Sequence, residues 1–140
     1  LLDQLEADGI HLSSRQMMTF STGSIFSGSV SSESISVRPI APNLWLGASC
    51  HSVEELKKAE SLCCDYASLS PILQTSSHPN ADPIGWPLFS EFVESINLPV
   101  YALGGLSITD LDMARSQGAQ GVSGISEFWS HNNRHNNLLR

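Results

Sequence analysis

The sequence predicts an α/β fold in which parallel strands alternate with crossover helices. Short apolar segments of strand length recur along the 140 residues, and amphipathic segments with helix-capping residues separate them. Successive strand candidates lie roughly 20–25 residues apart, which is typical of repeated strand–helix–strand units. An open doubly wound sheet and a (β/α)8 barrel are both built in this way, so the alternation alone leaves the choice between them open.

The first half of the chain holds one strand candidate and a long polar loop. A helix-like segment, Leu1–Leu5, leads into the strand Gly9–Ser13, and the short stretch SRQMM that follows has no predicted element. Residues 21–36 contain eight serines and no Lys or Arg. Such a segment buries too little apolar surface to offset its ordering entropy, so we predict a mobile loop, with outer bounds of 20–42.

From residue 44 onward the alternation is regular. The predicted strands are 44–49, 64–70, 98–103 and 121–125, and the predicted helices are 52–62, 85–97 and 108–117. Ser52 and Glu55 form the pattern of a capping box, and Gly118 is suited to end the last helix. A barrel has eight strands and about 250 residues, so a barrel interpretation of these five strands makes the chain the later part of one.

Charge and cysteine usage exclude several classes of protein. The net charge is −7, which argues against a nucleic-acid partner, and no apolar run reaches transmembrane length. The three cysteines are odd in number and form no CxxC motif, so we expect neither a disulfide framework nor a zinc site but a reducing, cytoplasmic setting. The first residues do not form a signal peptide and resemble the end of an earlier helix, which favours a piece of a longer protein.

The ends of the last two strands predict a phosphate site. Gly104 and Gly105 follow one strand, and Ser126 follows the next, just before a short helical turn. Parallel α/β folds bind ligands at the carboxyl ends of their strands, where glycine amides and a helix N-terminus can hold a phosphate without a basic side chain. The alternative is that the two glycines only form a tight turn.

Several histidines are weaker candidates. His11 lies in the first strand and is predicted either to bind a ligand or to make a structural hydrogen bond. Cys50 and His51 are adjacent on an extended segment, so their side chains point apart and a direct Cys/His pair is not expected. His131 and His135 lie in an Asn-rich tail, 131–140, which we predict to be disordered rather than metal-binding.

Five segments occur together in an order that resembles a known family. They are ADGIHL, LGASCHSVEELKKAE, DYASLSPILQTSSHP, LPVYALGGL and GAQGVSGIS. The chain thereby resembles the thiamine phosphate synthase/TenI family of (β/α)8 barrels, and most of all the synthase-like domain that some bacteria carry behind a Nudix hydrolase domain. The resemblance implies barrel strands four to eight within residues 1–130. It also implies the coupling of a pyrimidine pyrophosphate to a thiazole phosphate.

The resemblance implies a role for seven positions. The catalytic candidates beside the pyrophosphate are Ser49, Thr75 and His78; the candidates for the thiazole phosphate are Gly104, Gly105 and Ser126; and Ser77 is a further substrate-binding candidate. His11 is a substrate-binding candidate from its place in the first strand rather than from the resemblance. The implied partners are small phosphorylated thiazole and pyrimidine ligands, together with a Nudix domain. A homodimer is expected on other grounds, because an incomplete barrel exposes sheet edges.

The chain departs from the family pattern at three positions. His78 stands where the synthases have a Lys, Gln16 where they have an Asp that helps hold Mg²⁺, and Pro71 where TenI proteins have their proposed catalytic His. An amide is a poorer Mg²⁺ ligand than a carboxylate, so Mg²⁺ is expected from the resemblance alone. The alternatives are a ligand-sensing domain attached to a Nudix hydrolase, a TenI-like thiazole tautomerase, or another phosphate-binding barrel.

Overall fold

The computed structural model describes residues 7–20, 38–75 and 79–124, which form one parallel sheet with helices between its strands. The strands are β1 (Gly9–Leu12), β2 (Trp45–Cys50), β3 (Tyr66–Leu69), β4 (Val100–Leu103) and β5 (Gly121–Ser123). The helices are α1 (Ser14–Thr19), α2 (Val53–Ser61), α3 (Gly85–Glu94) and α4 (Leu111–Ser116), and a 3₁₀ turn (Ile108–Asp110) precedes α4.

The order of the strands decides between the two predicted architectures. The sheet runs β1-β2-β3-β4-β5, and each strand is parallel to the strands beside it. A doubly wound sheet reverses its order at a switch point, whereas neighbours in a barrel are also neighbours in sequence. The described strands therefore form an arc of a barrel, as the family resemblance implied.

The sheet has one apolar face and one polar face, because successive side chains of a strand point to opposite sides. The apolar side chains of the five strands join those of the helices in one core, and many of them are completely buried: Leu46, Ala48, Cys50, Ala67, Leu69, Ala102, Leu56, Ala59, Phe89 and Ala114. The opposite face, here called the inner face, carries the polar and aromatic residues at the alternate strand positions: His11, Trp45, Gly47, Ser49, Tyr66, Ser68 and Tyr101.

Helix α1 was not predicted from the sequence. Ser13 caps it in a capping box: the Ser13 hydroxyl accepts from the Gln16 amide at 3.3 Å, and the Gln16 side chain accepts from the Ser13 amide at 3.0 Å. Only Met17 of this helix is buried. A single buried position in six residues produces no periodic pattern, so the cap was the only signal in the sequence.

The predicted helices are confirmed, with two differences at their first turns. Ser52 caps α2 as expected, but the Glu55 carboxylate accepts from the amide of His51 at 2.7 Å and does not complete the capping box. The segment predicted as the last helix begins with the 3₁₀ turn, which Ser107 and Asp110 cap, and Gly118 follows it at a φ of +93°.

Several predictions lie outside the described residues: the leading helix-like segment, nearly all of the Ser-rich loop, and the tail 131–140. All three cysteines are described, and all are free thiols, as expected. Within the described ranges, no helix has the length and apolar character needed to cross a membrane.

Candidate functional site

Two predicted site residues meet on the inner face of the sheet. His11 of β1 and Ser49 of β2 are 38 positions apart in sequence, and the His11 Nε2 lies 2.8 Å from the Ser49 hydroxyl oxygen. The register of the sheet produces this contact, because His11 pairs with Gly47, two residues before Ser49. The hydrogen bond holds the Ser49 hydroxyl in place near the carboxyl end of β2.

Tyr66 of β3 completes a cluster with these two residues, and sequence reasoning missed it. Its hydroxyl lies 3.2 Å from the other ring nitrogen of His11, Nδ1, and the two ring centroids are 5.6 Å apart. Tyr101 of β4 packs edge-on against Tyr66 at 6.0 Å. Both tyrosines alternate with buried apolar residues along short strands, and this alternation was the available signal.

Gly47 makes the contact between His11 and Tyr66 possible. It lies between them in the register of the sheet. A Cβ atom at Gly47 would lie 2.3 Å from the Tyr66 ring and 2.6 Å from the His11 Nδ1, which real side chains do not tolerate. In the observed arrangement, therefore, the absence of a side chain at Gly47 leaves the space in which His11 and Tyr66 meet.

The cluster is suited to hold His11 in its neutral form. Burial lowers the pKa of His11 from its ordinary value of 6.5. A neutral imidazole has one donor and one acceptor nitrogen, and the hydroxyls of Ser49 and Tyr66 can each donate or accept, so both nitrogens are satisfied. The cluster thus offers two oriented hydroxyls and a neutral aromatic ring to a ligand.

The Gly104–Gly105 turn packs closely on the segment that follows β3. Both glycines have positive φ, +98° and +70°. A Cβ at Gly104 would lie 2.8 Å from the Pro71 Cα, and one at Gly105 would lie 2.5 Å from the Gln74 carbonyl oxygen. Close packing thus accounts for both glycines, as the tight-turn alternative held. Neither glycine amide donates a hydrogen bond to another residue in the described ranges, so both amides can still donate to an anion.

Of the remaining predicted site residues, the structure describes only one. Thr75 is half-buried and ends the described segment after β3, whereas Ser77, His78 and Ser126 lie outside the described residues. Their predicted roles stay predictions.

Gln16 does not fit a role as a Mg²⁺ ligand. Its side-chain oxygen already accepts from the amide of Ser13 at 3.0 Å and from the Ser13 hydroxyl at 2.9 Å. Across residues 7–20, 38–75 and 79–124, no group of three His, Cys, Asp or Glu side chains could hold a metal ion. Because Mg²⁺ is usually held by only one or two carboxylates together with substrate oxygens, a Mg²⁺ ion stays an expectation from the resemblance.

Cys50 and His51 do not form a reactive pair. Cys50 is completely buried in the core, and burial, together with the nearby charge of Glu55, raises the pKa of its thiol to about 12. His51 is exposed, and its Nδ1 lies 2.9 Å from the carbonyl oxygen of Ser70. This agrees with the expectation that the two side chains point apart.

Comparison with known proteins identifies similar sequences and a similar structure. Residues 1–128 match the TMP-TENI family, described as thiamine monophosphate synthase. A protein of Aquifex aeolicus provisionally named thiamine-phosphate synthase 2 is 41% identical over 124 residues, which are 89% of this chain and 59% of that protein. The thiamine-phosphate synthase of Fusobacterium nucleatum is 29% identical over 90% of this chain and 54% of its own length.

The structural match agrees with the sequence matches. The thiamine phosphate pyrophosphorylase of Pyrococcus furiosus superposes with a TM-score of 0.59 at 28% identity, over 89% of this chain and 52% of that protein. The chain thus spans little more than half the length of these relatives.

Proposed function

Because the chain belongs to the thiamine monophosphate synthase family, we propose that it is the part of a thiamine phosphate synthase that contacts both substrates. The observation that carries this proposal is the cluster of His11, Ser49 and Tyr66, which three successive strands build on the inner face. His11 and Ser49 lie in the later halves of β1 and β2, toward the carboxyl ends where barrels of this type bind their ligands, whereas Tyr66 is the first residue of β3 and reaches His11 through its hydroxyl.

The proposed reaction joins two small phosphorylated molecules. A C–N bond forms between the thiazole nitrogen and the methylene carbon of the pyrimidine, while the C–O bond to pyrophosphate breaks and pyrophosphate leaves with the bonding electrons. A protein can accelerate such a step by stabilising the negative charge that develops on the leaving group. In this proposal Ser49, Thr75 and His78 contact the pyrophosphate.

The other groups position the two rings. The amides of Gly104 and Gly105, which donate to no residue of the described ranges, are proposed to hold the thiazole phosphate together with Ser126, in the manner of a backbone anion site. His11 and Tyr66 present ring surfaces and a neutral polar edge to a heteroaromatic substrate, and Ser77 belongs to the segment proposed to cover it. This arrangement needs no basic side chain in the described ranges, which agrees with the acidic composition.

Synthase activity is tested on the full natural protein with both substrates, by measuring thiamine phosphate and pyrophosphate together. We expect Ser49→Ala to lower kcat about 100-fold, the typical effect of removing one oriented hydrogen-bond group from a charged transition state. The matched control is Ser95→Ala, which removes a hydroxyl that donates to the Phe92 carbonyl at the end of α3, on the helical side of the sheet. Full activity in Ser49→Ala would contradict the proposal.

A second candidate function is ligand sensing without turnover, in a protein that also carries a Nudix hydrolase domain. The observation that favours it is Gln16, whose side chain is committed to the cap of α1. Thermal unfolding with thiamine phosphate tests binding alone, since a ligand at about 100 times its Kd stabilises the folded state by about 2.7 kcal/mol. Stabilisation without any product formation would favour sensing. Tautomerase activity is the weaker alternative, because Pro71 offers no group for proton transfer.

A further inference from the structure

Glu55 connects the carboxyl ends of β1 and β2. One of its carboxylate oxygens accepts from the Ser14 hydroxyl at 2.6 Å, and the other accepts from the His51 amide at 2.7 Å. Ser14 begins α1 just after β1, and His51 directly follows β2. A carboxylate in the first turn of a helix ordinarily completes the cap of its own helix, whereas this one bonds to two other segments.

His51 extends this connection to β3. Its Nδ1 lies 2.9 Å from the carbonyl oxygen of Ser70, the residue that directly follows β3. A carbonyl oxygen only accepts hydrogen bonds, so the Nδ1 carries the proton and the imidazole donates. The amide of Ser70 in turn donates to the Cys50 carbonyl at 3.0 Å, so that two hydrogen bonds join the ends of β2 and β3.

From Ser70 the contacts continue to the turn after β4. The amide of Ile72 donates to the Leu103 carbonyl, and the amide of Leu73 donates to the Gly104 carbonyl, each at 3.0 Å. Gly104 and Gly105 allow this approach only because they have no Cβ. The hydrogen bonds of Glu55 and His51 therefore lead, through residues 70–73, to the proposed phosphate turn.

We propose that Glu55 and His51 are positioning residues that set the spacing between Ser49 and the Gly104–Gly105 turn. This inference rests on the proposed function, because the spacing matters only if one site uses both elements. Neither side chain belongs to the buried core: Glu55 is half-buried and His51 is exposed. Their loss should therefore disturb the geometry of the strand ends more than the stability of the fold.

The test uses the full natural protein and inorganic pyrophosphate as the probe, with binding measured by calorimetry and backbone amides followed by NMR. We expect Glu55→Ala and His51→Ala each to weaken pyrophosphate binding at least about tenfold, within the range known for removing the outer partner of a site group. Both variants should also shift the amide signals of residues 70, 72–74 and 104–105.

Two further variants separate positioning from general destabilisation. Glu60→Ala is the matched control, because Glu60 lies on the same helix and its carboxylate also accepts from a backbone amide, that of Asn97, at 2.6 Å. Asn97 precedes β4, so this hydrogen bond lies at the amino-terminal end of a strand and away from the proposed site. Glu60→Ala should change neither binding nor those amide signals. His51→Asn places an amide N–H near the position of the imidazole Nδ1–H and should restore most of the affinity.

The outcomes distinguish this inference from the proposed function. If the wild-type protein does not bind pyrophosphate, the proposed function loses its support, and the amide shifts alone test the positioning role. If Glu55→Ala and His51→Ala leave the amide signals of residues 70, 72–74 and 104–105 unchanged, the inference is wrong. It is also wrong if Glu60→Ala weakens binding as much as Glu55→Ala does.

Discussion

The imidazole of His11 has hydroxyl partners on both of its nitrogens, and burial lowers its pKa from 6.5. A folded state that keeps a histidine neutral loses stability in acid, because the unfolded state takes up the proton at the ordinary pKa while the folded state does not. The loss begins as the pH falls through about 6.5 and is complete once the pH is below the lower, folded-state pKa.

We therefore expect the free energy of unfolding of the wild-type protein to begin to fall as the pH is lowered through about 6.5, and to go on falling until the pH is below the folded-state pKa of His11. His11→Asn should show a smaller fall, because it cannot take up a proton on unfolding. Urea unfolding of both proteins at several pH values measures the difference. Parallel pH dependences would show that His11 does not contribute.

At Gly47 the site depends on the absence of a side chain. The added methyl group of Gly47→Ala would overlap the Tyr66 ring and force it away from His11. We expect a loss of about 1–3 kcal/mol in the free energy of unfolding, as is usual for overpacking, and a rise in the accessibility of the His11 ring. Denaturant unfolding and NMR titration of His11 measure the two effects. An unchanged His11 titration would contradict this account of the glycine.

At the scale of elements, helix α2 ends on a strained residue. Cys63 has a φ of +54°, in the left-handed region that favours glycine, and its amide bonds back to the Glu60 carbonyl at 2.9 Å. Cys63→Gly should raise the free energy of unfolding by about 0.5–1 kcal/mol, because relief of the left-handed strain exceeds the added flexibility of the unfolded chain. Thermal unfolding compares it with the wild type, and a lower Tm would contradict the prediction.

The amino-terminal ends of β2 and β3 are joined by an ion pair. The Arg38 guanidinium lies 2.7 Å from the Asp65 carboxylate, which also accepts from the Leu46 amide at 2.7 Å. The hydrogen bond from Arg38 is the main cause that lowers the pKa of Asp65 below 3.8, and burial opposes it. The resulting stabilisation is present above that value and is lost as the pH falls through the folded-state pKa.

Arg38→Ala should accordingly destabilise the fold at neutral pH and raise the pKa of Asp65. Its stability should approach that of the wild-type protein in strong acid, where Asp65 is protonated in both proteins. The test measures the free energy of unfolding of both proteins at about pH 7 and at a pH below the usual pKa of an Asp side chain. NMR titration of the Asp65 carboxyl measures the change in its pKa. A stability difference that does not depend on pH would mean that Arg38 acts through its hydrogen bonds to the carbonyls of Leu44 and Cys63, or through packing, rather than through Asp65.

At the scale of the whole molecule, the inner face and both edge strands lack cover from the described residues. On the inner face Trp45 is 63% exposed and Tyr101 39% exposed, and β1 and β5 each pair with one strand only. Unpaired strand edges and exposed aromatic side chains promote association. We therefore predict that the isolated 140-residue chain self-associates through this face.

Sedimentation velocity of the isolated chain measures this association. Trp45→Glu should shift the distribution toward monomer, since it places a charge on the proposed contact. Leu88→Glu is the control, because Leu88 is an exposed residue of α3, on the helical side of the sheet. A chain that remains monomeric at every concentration would contradict the prediction, and so would an equal effect of the two variants.

Local patterns in the sequence were enough to predict the α/β class, the positions of β1 to β5, the helices between β2 and β5, and the helix end at Gly118. These features depend on local chemistry: the period of apolar residues, capping side chains, and glycine at positive φ. Helix α1 was not predicted, because its six residues are too few to show a helical period of apolar side chains. The resemblance to known segments added the barrel and most of the candidate site.

Which distant residues meet became known only from the fold. The strand order selected the barrel arc, and the register joined His11 to Ser49 and Tyr66 across Gly47. The hydrogen bonds of Glu55 are a second example. The sequence predicted that Glu55 completes a capping box, whereas in the fold its carboxylate accepts from Ser14 and His51. The pairing of strands far apart in sequence sets these contacts, and a local pattern of residues carries no record of that pairing.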